Sequence, residues 1–113
     1  MRTLNDYFIT GVIPNVSAGS STFVAIPDGG RIIKIITHNA VVTSGTSAIS
    51  FEIGGVAITG SAISHTASGS ANRTITVAPT GANRVEEDGS VELITNGAST
   101  NTSAMAVTLI IRR

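Results

Sequence analysis

The side chains that could act as an acid or a base near neutral pH are two histidines, and the sequence contains no cysteine. Metal sites of jelly-roll enzymes use two histidines one residue apart and a nearby glutamate, whereas His38 is followed by Asn39 and Ala40. Ser64 and His65 are adjacent, but neighbours along a strand point to opposite faces and do not form a nucleophile and base pair. The sequence therefore predicts no catalytic residue, no cofactor and no metal site.

The acidic and aromatic residues indicate no ligand chemistry either. Residues 86–88 are acidic and precede Gly89, but they lack the alternating oxygen ligands of a calcium loop, so we predict a solvated turn. Sugar-binding sandwiches stack rings on exposed aromatic side chains, and this chain has no Trp, one Tyr and three Phe. The same shortage argues against binding of nucleic acid by stacking. We expect a protein that is not an enzyme.

Length and composition predict one domain over residues 1–113, in which residues 1–15 could form an extended N-terminal arm. The seven basic and seven acidic residues cancel, and the basic residues are scattered, so we expect no nucleic-acid partner. No apolar run approaches the roughly 18 residues of a membrane span, and the N-terminus lacks the apolar core of a signal peptide. We therefore expect no membrane partner.

Apolar residues alternate with a period of two, and glycine-rich turns separate the alternating segments. The sequences "PDGG" at residues 27–30 and "GG" at residues 54–55 suit tight reversals. The predicted strands are residues 7–13, 22–26, 31–42, 48–53, 56–59, 73–78, 90–95 and 104–112. Residues 60–72 could be a weak strand around residues 62–66 flanked by loops, or one long surface loop.

Short strands with frequent turns predict an all-β fold: a single small β-sandwich of about eight short strands with jelly-roll-like topology. An immunoglobulin-like sandwich is the alternative topology. Alternate residues of each strand would fill the space between the two sheets. The predicted core residues are Ile33, Ile35, Ile49, Phe51, Ile53, Ile75, Val77, Val91, Leu93, Val107, Leu109 and Ile111.

The segment "GRIIKIITHNAVV" carries branched aliphatic residues at odd and even positions, which is unusual for a strand with one wet face. If the odd-numbered residues face the core, Ile32 and Ile36 need another cover, and full burial of each contributes about 1.5–3 kcal/mol. The cover could be a terminal arm or residues 60–72 of the same chain, or a second protein, or the side chains could stay exposed. Lys34 suits the rim of an interface, because its flexible stem can lie along apolar surface.

Three stretches carry a resemblance to a known family: "YFITGVIPNVSAGSSTFVAIPDGGRIIKIITHNA", "AISFEIGGVAIT" and "NRVEEDGSVELITNGASTNTSAMAVTLIIRR". Their order resembles the capsid decoration, or cement, proteins of tailed bacteriophages. In such chains a turn of the "DGS" kind leads into a short strand, then a polar turn, then a final apolar strand that ends in basic residues. The resemblance implies a structural virion protein on the outer surface of the capsid, which associates with itself and bridges subunits of the major capsid protein.

No motif fixes the binding residues, so we assign them by pattern. We expect self-association, as a homodimer or homotrimer, through Ile32, Lys34 and Ile36. The residues that we expect to contact the capsid, in an arm that pairs by strand addition, are Leu4, Tyr7 and Phe8.

Two other functions stay open from the sequence. The first alternative is a phage tail-associated or fibre-associated sandwich, or one that binds carbohydrate on the host surface. It predicts that the isolated protein binds sugar or adsorbs to the host. The second is a small enzyme, which would need a pocket where His38 or His65 meets a carboxylate.

Overall fold

The computed structural model describes residues 5–40, 45–65, 74–99 and 103–113, and these form ten β-strands and no helix. The strands are β1 (Asp6–Ile13), β2 (Ser20–Ala25), β3 (Gly30–Asn39), β4 (Ser47–Ile53), β5 (Val56–Ala57), β6 (Ile63–His65), β7 (Thr74–Val77), β8 (Arg84–Val85), β9 (Ser90–Thr95) and β10 (Met105–Arg112). They make two antiparallel sheets that pack face to face around a shared core.

Each sheet contains five strands. Sheet A has the order β1-β10-β3-β7, with β8 also paired to β3, and sheet B has the order β2-β9-β4-β5, with β6 also paired to β4. The pairs β1 with β10, β2 with β9, β3 with β7 and β4 with β6 are nested along the chain, as in a long hairpin that has been rolled up. This nested pairing is the jelly-roll arrangement, so the predicted fold is confirmed.

The predicted strands are all present, with ends that differ by a few residues. Within residues 60–72, Ile63–His65 forms β6 against β4, which supports the weak strand over a continuous loop, and residues 66–72 lie outside the described part. The ends of two predicted strands, residues 41–42 and 73, lie outside it as well. The sequence analysis missed β8, because a two-residue strand is too short to show a period.

The buried core contains eight of the predicted residues: Ile35, Ile49, Phe51, Val91, Leu93, Val107, Leu109 and Ile111. Three more pack against it while partly buried: Ile53, Ile75 and Val77. The core also holds residues that were not predicted: Ile13, Val16, Val24, Ile26, Ile32, Ile58, Ile63, Val85 and Met105. Several of these lie on strand ends and connections, where a period of two gives no information.

The prediction that Ile33 lies in the core is wrong, because β3 contains a bulge. Ile110 of β10 is opposite Lys34, whereas the next residue, Ile111, is opposite Ile32. Ile33 is therefore an extra residue in β3, and the alternation of faces is shifted by one position at this point. Ile32 and Ile35 are both 0% exposed, and Ile33 is only half-buried.

Candidate binding surface

On the outer side of sheet A, the side chains that alternate with the buried ones form four rows, and the row at one end of the strands is charged. We use the term outer face of sheet A for the other three rows. These rows run across the strands, in the register of the antiparallel pairs. The rows are Phe8, Ile110 and Lys34; Thr10, Thr108, Ile36 and Thr76; and Val12, Ala106, His38 and Thr74. Neighbouring strands lie roughly 4.8 Å apart, so these rows form a continuous surface across four strands.

The outer face of sheet A is almost uncharged. Lys34 is the one charged side chain in the three rows, and the other side chains are threonine, aliphatic, one phenylalanine and one histidine. Phe8 is 62% exposed and Val12 is 58% exposed, whereas Ile36 and Ile110 are half-buried between neighbouring strands. These three rows therefore offer apolar area with a single charged side chain.

Charged residues form the fourth row on the same side of sheet A, at the end of the strands and next to the row of Phe8, Ile110 and Lys34. Asp6 is opposite Arg112, and Arg112 is opposite Arg31. The guanidinium of Arg112 donates from Nε and Nη2 to the two carboxylate oxygens of Asp6, at 2.8 and 2.9 Å, and this bonding raises the pKa of Arg112. Because the two residues are the ends of paired strands, the ion pair connects the beginning of β1 to the end of β10.

The outer face of sheet B has a different chemistry. Its polar side chains include Ser21 and Ser50, which are exposed, and Glu52 and Glu92, which are half-buried. Its apolar members are Phe23, which is 63% exposed and lies opposite Glu92, and the half-buried Ile94. Ser21 Oγ donates a hydrogen bond of 2.6 Å to Glu92 Oε2, and Glu52 lies directly opposite Glu92 in the pairing of β4 with β9. Two carboxylates in opposed positions repel one another, and an apolar partner would have to desolvate both of them, so the centre of this face favours solvent while Phe23 adds apolar area at its edge.

The structure separates the three residues predicted for self-association. Ile32 lies in the core at 0% exposure, so a partner cannot contact its side chain while the sandwich is folded. Lys34 is exposed and Ile36 is half-buried, and both lie on the outer face of sheet A. The prediction is corrected for Ile32, because the bulge at Ile33 turns it inward.

The residues predicted to contact the capsid are also separated. Phe8 lies on the outer face of sheet A, in the same row as Lys34. Tyr7 points to the other side of β1 and packs against the core, and its hydroxyl donates to the carbonyl oxygen of Asp28. Burial is the main cause that raises the pKa of Tyr7. Leu4 lies outside the described residues.

The described part of the predicted N-terminal arm is not free of the sandwich. All eight residues of Asp6–Ile13 pair with β10. The guanidinium of Arg113 lies 5.8 Å from the centre of the Tyr7 ring and also donates to Asp28 Oδ2 at 2.9 Å. Residues 6–13 therefore form an integral edge strand of sheet A, and this part of the expectation is corrected.

Each of the two histidines lies within hydrogen-bond distance of a threonine hydroxyl. His38 is exposed, and its Nδ1 lies 2.6 Å from Thr74 Oγ1. His65 is 0% exposed, and its Nε2 lies 2.8 Å from Thr37 Oγ1 in the opposite sheet. Thr37 Oγ1 also donates to the carbonyl of Ile75 at 3.3 Å, so the contact from His65 joins sheet B to sheet A.

Two depressions on the described part of the surface are small. One of about 190 Å³ lies on the outer face of sheet A beside Phe8, Thr108 and Ile110, and one of about 200 Å³ lies on sheet B beside Ser50 and Ile94. Both are below the roughly 300–1,000 Å³ typical of small-molecule sites. Within residues 5–40, 45–65, 74–99 and 103–113 there is no group of three or more potential metal ligands, and no helix that could cross a membrane.

The sequence analysis assigned only Phe8, Lys34 and Ile36 of the outer face of sheet A as contact residues, and Val12, Thr108 and Ile110 are among those that it missed. The sequence did contain a signal for Thr108 and Ile110, because the second face of the strand at residues 104–112 carries small and apolar side chains instead of charged ones. The residues of β1 and β3 that lie beside this face of β10 could not be deduced from the sequence, since they depend on the strand order β1-β10-β3.

No protein-family model and no curated protein matches the sequence. Among solved structures, a chain of the acidic stable capsid structure of Helicobacter pylori bacteriophage KHP30 has a TM-score of 0.67 and 14% identity, over 96% of this chain and 87% of that chain. The structure of dimeric latent PorU from Porphyromonas gingivalis has a TM-score of 0.48 and 15% identity, over 96% of this chain and 13% of that chain. The structure of PirA has a TM-score of 0.46 and 15% identity, over 100% of this chain and 97% of that chain. The phage capsid structure thus contains a chain with the same fold.

Proposed function

We propose that this chain is a structural protein of a bacteriophage virion, which binds the outside of the assembled capsid and stabilises it by bridging subunits of the major capsid protein. The observation that carries the proposal is the shared fold with a chain of a phage capsid structure, which extends over 96% of this chain. The resemblance of the sequence to decoration proteins points in the same direction. A function without catalysis is also consistent with the positions of the two histidines.

The outer face of sheet A is the surface that we assign to the capsid contact. Its side chains are mainly β-branched or aromatic, and they stand on a sheet whose backbone is already ordered, so little conformational entropy is lost when they are covered. Full burial of one Phe or Ile side chain contributes about 1.5–3 kcal/mol. Phe8, Ile36 and Ile110 therefore supply the apolar centre of the contact.

Lys34 and Ile36 move from the predicted self-association site to this proposed capsid contact. Phe8, Ile110 and Lys34 occupy one row, so residues predicted for two different partners form one continuous surface. Lys34 is exposed in that row, where its stem can cover apolar area while the ammonium group reaches the rim of the contact. The acidic outer face of sheet B would then face solvent.

Stabilisation of the capsid follows from binding linkage. A protein that binds the assembled lattice, and not its separated subunits, stabilises the lattice by RT ln(1 + [L]/Kd), or about 2.7 kcal/mol per site when its concentration is 100 times Kd. A capsid presents many equivalent sites, so a modest affinity at each site has a large combined effect. Copies that are linked to one another gain further through multivalency.

The test uses capsids of the phage that encodes this chain, assembled without it. Purified chain should co-sediment with these capsids to saturation, and it should raise the temperature at which they release their contents. Electron microscopy should show added density on the outer surface. Absence of co-sedimentation would contradict the proposal, and adsorption of the isolated chain to host cells would instead support the host-surface alternative.

A further inference from the structure

The exposed apolar side chains of the described residues are concentrated at one side of the sandwich. Four large hydrophobic residues are exposed in this part of the chain: Phe8, Val12, Phe23 and Val56. The first three lie on β1 and β2, which are edge strands of sheet A and sheet B. These two strands lie against one another, because a Cβ added at Gly11 of β1 would come within 2.6 Å of Val24 Cγ2 on β2.

The β1 edge lacks the usual protection against pairing with another strand. Among the described residues β1 pairs with β10 alone, in an unbroken register of eight residue pairs. The seven residues from Tyr7 to Ile13 contain no charge, no proline and no bulge. Natural edge strands are normally short, charged, bulged or covered, because an open edge presents a row of unpaired backbone groups.

The opposite edge of sheet A is protected. It consists of β7 and β8, which have four and two residues, and β8 begins with Arg84. The exposed side chains of β7 are Thr74 and Thr76, and no large apolar residue is exposed there. The contrast between the two edges of one sheet singles out β1 as the edge that is shaped for a partner.

We infer that β1 pairs with β1 of a second copy of this chain, antiparallel and across a two-fold axis, so that the two A sheets become one continuous sheet. A two-fold axis perpendicular to a sheet keeps each outer face on the same side, so the residue numbers of directly opposed partners must add up to an even number. Centring the pair on Thr10 aligns all seven uncharged residues, Tyr7–Ile13, with their copies.

The side-chain pattern of β1 fits this register. Phe8, which is 62% exposed, would lie opposite Val12 of the partner, which is 58% exposed in the single chain, and Thr10 would lie opposite its own copy. An aromatic residue opposite a β-branched residue, and a threonine opposite a threonine, are favourable cross-strand pairs. Asp6 stays outside the paired segment, where Arg112 already holds its carboxylate. A second copy is therefore the occupant that the edge fits, since no charge opposes self-pairing.

The first test is the oligomeric state of the isolated chain by sedimentation equilibrium, with Thr10→Lys as the variant and Thr76→Lys as the matched control. Both threonines are exposed and lie in the same row, at the two opposite edges of sheet A. Thr10→Lys should weaken the dimer by about tenfold or more, since it places two ammonium groups opposite one another. Thr76→Lys should leave the dimer unchanged, and mixing Thr10→Lys with Thr10→Asp chains should restore association.

The second test does not depend on the strength of the dimer. The chain has no cysteine, so Thr10→Cys introduces a single thiol at the proposed two-fold axis. Directly opposed Cα atoms in antiparallel strands are about 4.5–5.5 Å apart, within the range that a disulfide spans. Thr10→Cys should oxidise to a covalent dimer much faster than Thr76→Cys.

Three results would overturn the inference: a wild-type chain that is monomeric at every concentration tested, equal weakening by the two lysine variants, or equal cross-linking of the two cysteine variants. The measurements use the isolated chain and no capsid. A chain that dimerises through β1 but does not bind capsids would disprove the proposed function and leave this inference standing, and the reverse result would do the opposite.

Discussion

The two outer faces of the sandwich differ although both belong to antiparallel sheets of similar size. The outer face of sheet A carries mainly threonine and aliphatic side chains, with one phenylalanine, one histidine and one lysine. The outer face of sheet B carries serines and two opposed glutamates together with Phe23 and Ile94. The two faces differ most at their centres, where sheet B has the opposed carboxylates of Glu52 and Glu92 and sheet A has Ile36 opposite Thr108. The proposed capsid contact therefore uses the apolar centre of sheet A and not the carboxylates of sheet B.

The bulge in β3 contributes directly to this difference. Because Ile33 is an extra residue, two residues instead of one separate the buried Ile32 from the buried Ile35. Without the bulge, Ile33 would enter the core and Ile32 would be exposed. The bulge therefore decides which isoleucines of a nearly uniform run are available on the outer face of sheet A.

The largest expected effect comes from a pair of substitutions that tests this assignment. Ile32→Ala should lower the free energy of unfolding by about 2–5 kcal/mol, because it leaves a cavity in the core. Ile33→Ala should cost about 1 kcal/mol or less, since the side chain is only half-buried. Urea unfolding measures both values. A cost for Ile33→Ala equal to or above that of Ile32→Ala would show that the bulge is misplaced and that the two faces are exchanged along β3.

A smaller effect is expected from two threonines on opposite sides of sheet A. Thr37 is buried, and its hydroxyl is bonded to His65 of sheet B at 2.8 Å, whereas Thr108 belongs to the outer face of sheet A. Thr37→Val should cost about 1–3 kcal/mol, because the histidine loses this partner in the core. Thr108→Val should change stability by less than about 0.5 kcal/mol. Thermal or urea unfolding measures both losses of stability. Similar losses for the two variants would argue against the assignment of Thr37 to the core and Thr108 to the outer face of sheet A.

The smallest effect is a gain in stability on the outer face of sheet B. Glu52→Gln removes one of two like charges that are directly opposed across β4 and β9, and it should stabilise the chain by about 0.2–1 kcal/mol. The gain should shrink at high ionic strength, because salt screens exposed charges. Unfolding curves at low and high salt test this prediction, and a loss of stability in both would contradict it.

Local patterns were sufficient to predict much of the fold. The strand at Ser90–Thr95 was predicted with its observed limits, because alternating apolar residues lie between two glycine-containing turns. The glycines at the tip of the β4–β5 hairpin have positive φ angles of 58° and 82°, as the "GG" signal implies. Such features depend only on neighbouring residues, so a single sequence contains them.

Features that depend on distant pairing could not be predicted. The bulge at Ile33 exists only in the register of β3 with β10, and the shared row of Phe8 and Lys34 requires β10 to lie between their strands. Ile26 and Ile58 lie at the ends of predicted strands 22–26 and 56–59, and their burial comes from the connections that follow β2 and β5, which the sequence does not position. The sequence therefore identified Lys34, Ile36 and Phe8 as candidates, but it did not indicate that they share one surface.

The central claim, that the outer face of sheet A contacts the capsid, is tested most directly by measuring the affinity of two variants for empty capsids. Each variant places one charge at the middle of one outer face. Ile36→Glu alters the outer face of sheet A, and Ser50→Glu is the matched change on sheet B. Buried residues at the centre of an interface typically contribute 2 kcal/mol or more, so Ile36→Glu should weaken co-sedimentation by about 30-fold, whereas Ser50→Glu should change it less than about twofold. Circular dichroism should confirm that both variants are folded. Unchanged affinity for Ile36→Glu, or a loss confined to Ser50→Glu, would contradict the assignment of the capsid contact to sheet A.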